Sequence, residues 1–297
     1  MSTAPAAVRA DRPVSPIPEP PGERPVPGPS RRRRPRTTLT RGAGLGLGLA
    51  TLWFSLLVLL PLAAVVATAA SGGVRQYLSV LTDDQTWAAI SLTVAQAALV
   101  TVINIVLGTV IAWVLVRDRF WGRSLLNVII DVPFALPTVV AGLVLLTLYG
   151  PNSPMGLHFA FTRIAVWLAL AFVTLPFVVR SVQPVLEELD VDVEEAAASL
   201  GASGRTIVTR IILPSLAPAI TSGAALSFAR AISEYGSLVL LSGNRPFRTE
   251  VVSVRVLSFI ENGSNAQAAA VASVMLAVAL IVIIALDVVQ RVAARRG

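Results

Sequence analysis

The sequence predicts an all-α integral membrane protein with six transmembrane helices, and three observations carry that prediction. Mean hydropathy is +0.74, and 55% of the residues are hydrophobic against 14% charged, far from the balance of a water-soluble domain. The apolar residues also form unbroken runs. No charge falls between Arg41 and Arg75 or between Asp84 and Arg117, and each gap exceeds the roughly 20 residues a spanning helix needs. Finally, the arginines gather at the ends of alternate runs, the bias expected of a multi-pass chain.

Taken in order, residues 1–41 read as a disordered cytoplasmic tail: they hold nine of the 24 arginines and ten of the 20 prolines, too little apolar surface to offset ordering entropy. Its run SRRRRPR adjoins a spanning helix and reads as an anchor at anionic membrane lipid rather than a nucleic-acid arm. Residues 42–297 read as the membrane domain. The first apolar region, Leu45 to Ala70, is too long for a cleaved signal peptide, although ATAA at 67–70 resembles a cleavage site.

Apolar blocks and turn signals place spans at 43–70, 86–116, 124–149, 163–184, 215–241 and 266–290. Pro133, Pro137, Pro176 and Pro218 fall inside spans, where neighbouring groups can re-satisfy freed carbonyls. Six crossings put both termini on one side. With that side cytoplasmic, eighteen arginines lie inside and five outside: Arg75, Arg163, Arg245, Arg248 and Arg255.

The longest inner connection, residues 185–214, is then cytoplasmic and contains EEAAASLGASGRTIVTRIILP. Acidic residues, including Glu194 and Glu195, precede helix formers Ala196 and Ala197, as the helix dipole favours. Gly201 supplies a stop, and a second stretch with Ile207, Ile211 and Ile212 leads through Leu213 to Pro214, suited to the first turn of the next span. Two short helices joined at a glycine would lie flat beneath the bundle and offer a small-residue face for docking. An ordinary solvated loop fits the composition equally.

In the fifth span, SFARAISEYGSLVLLSGN sets Arg230 and Glu234 four residues apart on one face near the membrane centre. A charge there must face protein or water. The pair reads either as a self-contained ion pair or as part of a charged solute's route, with Tyr235 and Gly236 as plug and close-approach point. Outside, Arg245, Arg248 and Arg255 border a short apolar stretch and form an anion-attracting rim. Asp131 and Asp287 read as interfacial or paired, and Gln96 and Asn104 as interhelical hydrogen-bonding groups.

Several chemistries find no support. The chain lacks cysteine and lysine; its single histidine, His158, has no companion ligand, and no phosphate-cradling G-x-x-x-x-G-K-[ST] loop occurs. The sequence therefore points to no metal, no cofactor and no catalytic residue.

The inner loop resembles the cytoplasmic motif of ABC-importer permeases: E-A-A, three residues, G, nine residues, I-x-L-P, filled here by Glu195, Ala196, Ala197, Gly201, Ile211, Leu213 and Pro214. A-R-x-x-x-E-Y-G, the following SGN, LPFVVRSVQPVLEELD and RPFRTEVV are similar to the sulfate and molybdate group, and most to the T subunit of sulfate/thiosulfate importers. The similarity covers about residues 45–290.

This resemblance implies a type I importer permease in a bacterial plasma membrane, with a coupling helix that docks two copies of an ATPase subunit in the assembly. It implies, too, a second homologous permease, an extracytoplasmic sulfate-binding protein that touches the rim arginines, and inward movement of sulfate or thiosulfate. A molybdate/tungstate permease is the alternative, followed by an ATP-independent anion channel and an intramembrane enzyme.

Overall fold

The structure, a computed structural model, describes residues 41–294, so the expected tail lies outside the described residues except for Arg41. The chain divides into two compact units, residues 1–52 and 53–297. In chain order the helices are α1 (Arg41–Phe54), α2 (Leu60–Ser71), α3 (Gly73–Leu81), α4 (Asp84–Arg117), α5 (Arg123–Ala135), α6 (Thr138–Tyr149) and α7 (Arg163–Glu188). They continue as α8 (Val191–Ser199), α9 (Gly204–Ile207), α10 (Leu213–Ile232), α11 (Gly236–Leu241), α12 (Val252–Glu261) and α13 (Asn265–Ala294). Two π-helical segments, Ser55–Leu59 and Val208–Ile212, interrupt the series, and no strand occurs among the described residues.

Five apolar helical stretches are long enough to cross a membrane, and a sixth crossing exists when α5 and α6 count as one. These two halves meet at 117°. The physical cause lies in the expected span 124–149 itself: Pro133 and Pro137 each remove a donor, and Leu136 turns to extended backbone. The third span is therefore interrupted, not continuous. Leu126 and Ile130 of α5 pack with Val182 and Leu186 near the end of α7, whereas Leu145 of α6 packs with Val166 and Leu170 near its start. The two halves together thus follow the length of α7, as one broken crossing would.

Helices α4, α7 and α10 form the centre. Val178 of α7 sits between two glycines: a Cβ on Gly108 of α4 would lie 2.8 Å from Val178 Cβ, and one on Gly223 of α10 would lie 2.9 Å from Val178 Cα. Small residues allow such close approach where lipid gives helices little hydrophobic reason to associate. A polar stitch reinforces it. Asn104 of α4 donates to the hydroxyls of Thr174 on α7 (2.8 Å) and Ser227 on α10 (3.3 Å), the interhelical role expected of Asn104. Gln96, expected to do the same, has a buried Oε1 without a partner.

The fifth span departs from expectation at both ends. Its expected start, 215, is not a boundary, because α9, the π segment and α10 wind continuously from Gly204 to Ile232. Only α8 is a separate short helix in the inner loop, and the expected pair of flat helices is corrected to one. Near the other end, 215–241 is broken after Ile232, with Ser233, Glu234 and Tyr235 between α10 and α11.

The two interruptions meet. A Cβ on Gly236, the first residue of α11, would lie 2.2 Å from Thr138 Oγ1 at the start of α6, and one on Gly142 would lie 2.8 Å from Ser237 Cα. Backbone packs directly on backbone there. Two shorter helices, α3 and α12, lie between spans; α12 is the apolar stretch expected along the outer surface, whereas α3 escaped sequence reading.

Gly142→Val should therefore wedge α6 from α11 and destabilise the fold by about 1–3 kcal/mol, the usual range for overpacking. The check is a lower thermal-unfolding midpoint in detergent, with Gly48→Val, where added atoms meet nothing within 4 Å, leaving it unchanged.

Candidate functional site

The inner loop explains its own residue types. Asp190 begins α8 by accepting from the Asp192 N–H at 3.0 Å. The helix ends at Gly201, whose φ of +86° disfavours any side chain. Gly201 N–H donates to Ala198 O (2.9 Å) and Ala202 N–H to Ala197 O (3.0 Å), the paired bonds of a left-handed helix stop. Ser203 then starts α9 by accepting from Thr206 N–H.

Along α8 the two neighbouring glutamates part company. Glu195, Ala196 and Leu200 are exposed, while Glu194 turns toward the bundle and forms an ion pair with Arg117 at the end of α4. Glu194, expected to meet an ATPase subunit, is instead engaged within the chain. Ala197 and Ile211 are half-buried; Gly201, Leu213 and Pro214 remain exposed. The structure thus gathers the motif residues along one continuous inner segment.

The charged pair sits at the break of the fifth span, not in mid-helix as expected. Arg230 occupies the last turn of α10; Glu234 lies beyond its end, so the i,i+4 helical pairing argument does not apply. Glu234 is fully buried. Its Oε1 accepts from Ser237 N–H (2.8 Å) and Ser237 Oγ (2.9 Å), thereby closing the start of α11. Its Oε2 lies 2.6 Å from Arg230 Nη2 but off the hydrogen-bond direction, so charge alone holds that arm. Ser253 of α12 donates to Glu234 O at 2.8 Å.

The pair is asymmetric: the Glu234 side chain is 0% exposed and the Arg230 side chain 28%. A bare guanidinium edge beside a carboxylate committed elsewhere can receive an oxyanion, whose oxygens match the guanidinium fork. Tyr235 is exposed at the same break, and Gly236 lies against α6 as its predicted close-approach role requires. An apolar cavity of about 460 Å³ opens beside them, lined by Ile232, Tyr235, Val256 and Met275 among others.

Of the arginines expected on the outer side, Arg245 and Arg248 are exposed, but Arg255 is not free to meet a partner. Its guanidinium pairs with Asp83 (3.1 Å) and stacks 4.5 Å from the Phe259 ring centroid, tying α12 to the start of α4. Asp83 also accepts from the N–H and hydroxyl of Thr86, both at 2.8 Å. Burial alone raises the Asp83 carboxyl, but the Thr86 bonds and the Arg255 charge outweigh it and hold it below the ordinary aspartate range.

Sequence reading missed three features. Arg180, counted only among the eighteen inner arginines, makes a two-pronged contact from α7 with Asp131 of α5, both arms 2.8 Å, while also bonding Asn127. Its signal was available: Asp131 and Arg180 each interrupt an apolar run, and one explains the other. Glu250 is buried and accepts from Gln85 at 2.8 Å, a long-range contact with no local signature. Arg117 was legible only as a helix-end charge. Asp287, by contrast, pairs as expected, with Arg291 one turn on (2.8 Å). His158 is exposed, and no group of potential metal ligands occurs among the described residues.

Comparison with known proteins identifies this helical bundle, with its small-residue loop and interrupted spans, as a transport permease. Residues 104–296 match the model for binding-protein-dependent transport system inner membrane components, and the chain belongs to that family. It is a multi-pass membrane subunit, similar over most of its length to characterised permeases. The sulfate transport system permease protein CysT of Escherichia coli (strain K12) is 40% identical over 252 residues, 82% of this chain and 91% of that one. The CysT of Synechocystis sp. (strain ATCC 27184 / PCC 6803 / Kazusa) is 38% identical over 247 residues, covering 81% and 86%.

Among solved structures, a bacterial ABC transporter involved in the import of the acidic polysaccharide alginate has TM-score 0.69 at 17% identity, covering 84% of this chain and 94% of that one. A bacterial alginate ABC transporter in complex with an alginate pentasaccharide-bound periplasmic protein gives 0.68 at 16%, covering 84% and 93%. These establish the shared permease fold.

The Asp83 latch yields a signed pH dependence. Because the folded carboxyl is held low, its contribution is complete above the unfolded value, 3.8, and fades as pH falls through the folded one. Asp83→Asn should thus lower the thermal-unfolding midpoint at pH 7, and the gap from the natural protein should narrow at pH 3.

Proposed function

We propose that this chain is the permease subunit of an ATP-driven importer and forms the membrane pathway for inward movement of sulfate or thiosulfate. The observation that carries the reading is the pair of features found together: a fully matched inner docking loop and a half-exposed Arg230 at an interrupted span. The first takes mechanical input, and the second offers a guanidinium to an oxyanion. Both named CysT relatives, carrying the word sulfate in their names, support this substrate class above molybdate or tungstate.

In this reading Glu195, Ala196 and Leu200 present the docking face to an ATP-hydrolysing subunit, two copies of which serve the transporter with a second homologous permease. The acid suits basic groups at the rim of a cleft, and the alanines permit close approach. Both chain termini and the 185–214 loop face the cytoplasm, supported by the arginine distribution. On the other side, Arg245 and Arg248 remain available to an extracytoplasmic sulfate-binding protein, while Arg255 fastens the surface they stand on. ATP-driven closure of the motors is felt at the docking loop and rocks the spans, so that the Arg230 region opens alternately to each side.

In this reading the pair has distinct tasks. Arg230 meets the anion; Glu234 closes α11 and holds Arg230 in place. Uptake of radiolabelled sulfate in cells holding all subunits tests the substrate: thiosulfate should compete and molybdate and tungstate should not, while competition in the opposite order points to the molybdate class. Arg230→Ala should preserve assembly and lower uptake at least tenfold, whereas Glu195→Arg should preserve membrane insertion and abolish co-purification of the ATPase. Normal uptake by either variant contradicts its assigned role.

A further inference from the structure

Between the proposed docking surface and the spans stands a contact of two residues outside the E-A-A motif, Glu194 with Arg117. Helix α8 has no buried residue, so packing alone gives it little hold on the bundle. Among the described residues, its one ionic or hydrogen-bonded tie to a span is Glu194 with Arg117. The tie is sheltered: the side chains are 20% and 19% exposed, respectively. Arg117 lies 5.8 Å from the Trp113 ring centroid; its Nη2 donates to Glu194, while its Nε is buried without a hydrogen-bond partner.

Arg117 also terminates α4, the longest helix, which packs along α7 and α10 and carries Asn104 at the bundle centre. At its other end α8 continues through Gly201 and the π segment into α10, the helix that bears Arg230. Motion of α8 therefore has three outlets: through the chain to α7 on one side and to α10 on the other, and through Glu194 to α4, which the chain does not join to α8 directly.

We infer that the Arg117–Glu194 ion pair is the strut that transmits displacement of the docking helix to α4, making both groups positioning residues for transport rather than contacts for the ATPase. This division rests on the proposed importer reading. Glu195 faces the motor, Glu194 faces the bundle, and the two adjacent acids serve opposite sides of α8. Desolvation strengthens such a pair and makes it intolerant of losing one member.

The test uses the complete transporter in proteoliposomes, measuring ATPase co-purification, ATP hydrolysed and labelled sulfate delivered. Natural complex that retains its ATPase and imports sulfate validates the underlying reading first; failure at that stage overturns the reading itself. Glu194→Gln, close to isosteric, should keep the ATPase bound and still hydrolysing, yet deliver at least tenfold less sulfate per ATP. Glu194→Asp should recover part of that ratio. The exchanged pair, Arg117→Glu with Glu194→Arg, should surpass either single reversal.

A purely stabilising contact would reduce the amount of complex without changing sulfate delivered per ATP, and that result overturns the inference. So does loss of ATPase binding in Glu194→Gln, which would return Glu194 to the docking face. An unchanged Glu194→Gln ratio overturns it even if the exchanged pair fails to assemble.

Discussion

Whatever interrupts a helix inside a membrane has to be re-satisfied by the protein, because hydrocarbon supplies no hydrogen bonds. Two of the spans here are interrupted, and the rest of the architecture follows from how those gaps are closed. At the fifth span a carboxylate does it: Glu234 accepts from the first turn of α11, and Ser253 reaches back to its carbonyl. At the third span, prolines make the gap and a tight corner at Leu136 closes it. The two gaps face one another across Gly142 and Gly236, so neither half-helix is isolated.

That arrangement clarifies why buried charge is tolerated. Glu234 is a structural anion first, and the cation beside it is thereby fixed with one edge left bare. Arg180 and Asp131, both more exposed, show another arrangement, a two-pronged pair that links α7 to α5. Burying a charge is hard to justify by stability alone. The two sites differ in what is left over: one leaves a guanidinium edge, the other balances more completely.

Much of the helical layout was legible because its signals are local. Charge-free runs marked the spans, and Gly201 marked a stop that only its backbone angle fully explains; the caps at Asp83 and Thr162 emerged with the structure. The docking loop was equally plain as a motif, yet its spacing could not reveal that Glu194 and Glu195 point apart, since direction depends on where Arg117 arrives from 77 positions away. The same limit applied to Arg255, legible as an outer charge but not as the mate of Asp83. Proline positions announced disturbance in the third span without saying whether the helix would kink or break, whereas the break in the fifth span, at Ser233–Tyr235, holds no proline and Pro218 lies within α10. Amphipathic α3 went unseen because it is too short and polar to register in a search for membrane crossings.

The two π segments share a context: each ends immediately before a Leu-Pro step, Leu60-Pro61 and Leu213-Pro214. Proline has no N–H for the preceding turn and its ring crowds the carbonyl four residues back, so a wider turn relieves both problems. A π turn holds one residue more than α winding would. Taking up or releasing that residue changes the phase of everything on one side by about 100° and its height by about 1.5 Å. At Val208–Ile212 this slack lies between α8 and the helix that bears Arg230, much as spare thread in a screw lets its two ends fall out of step.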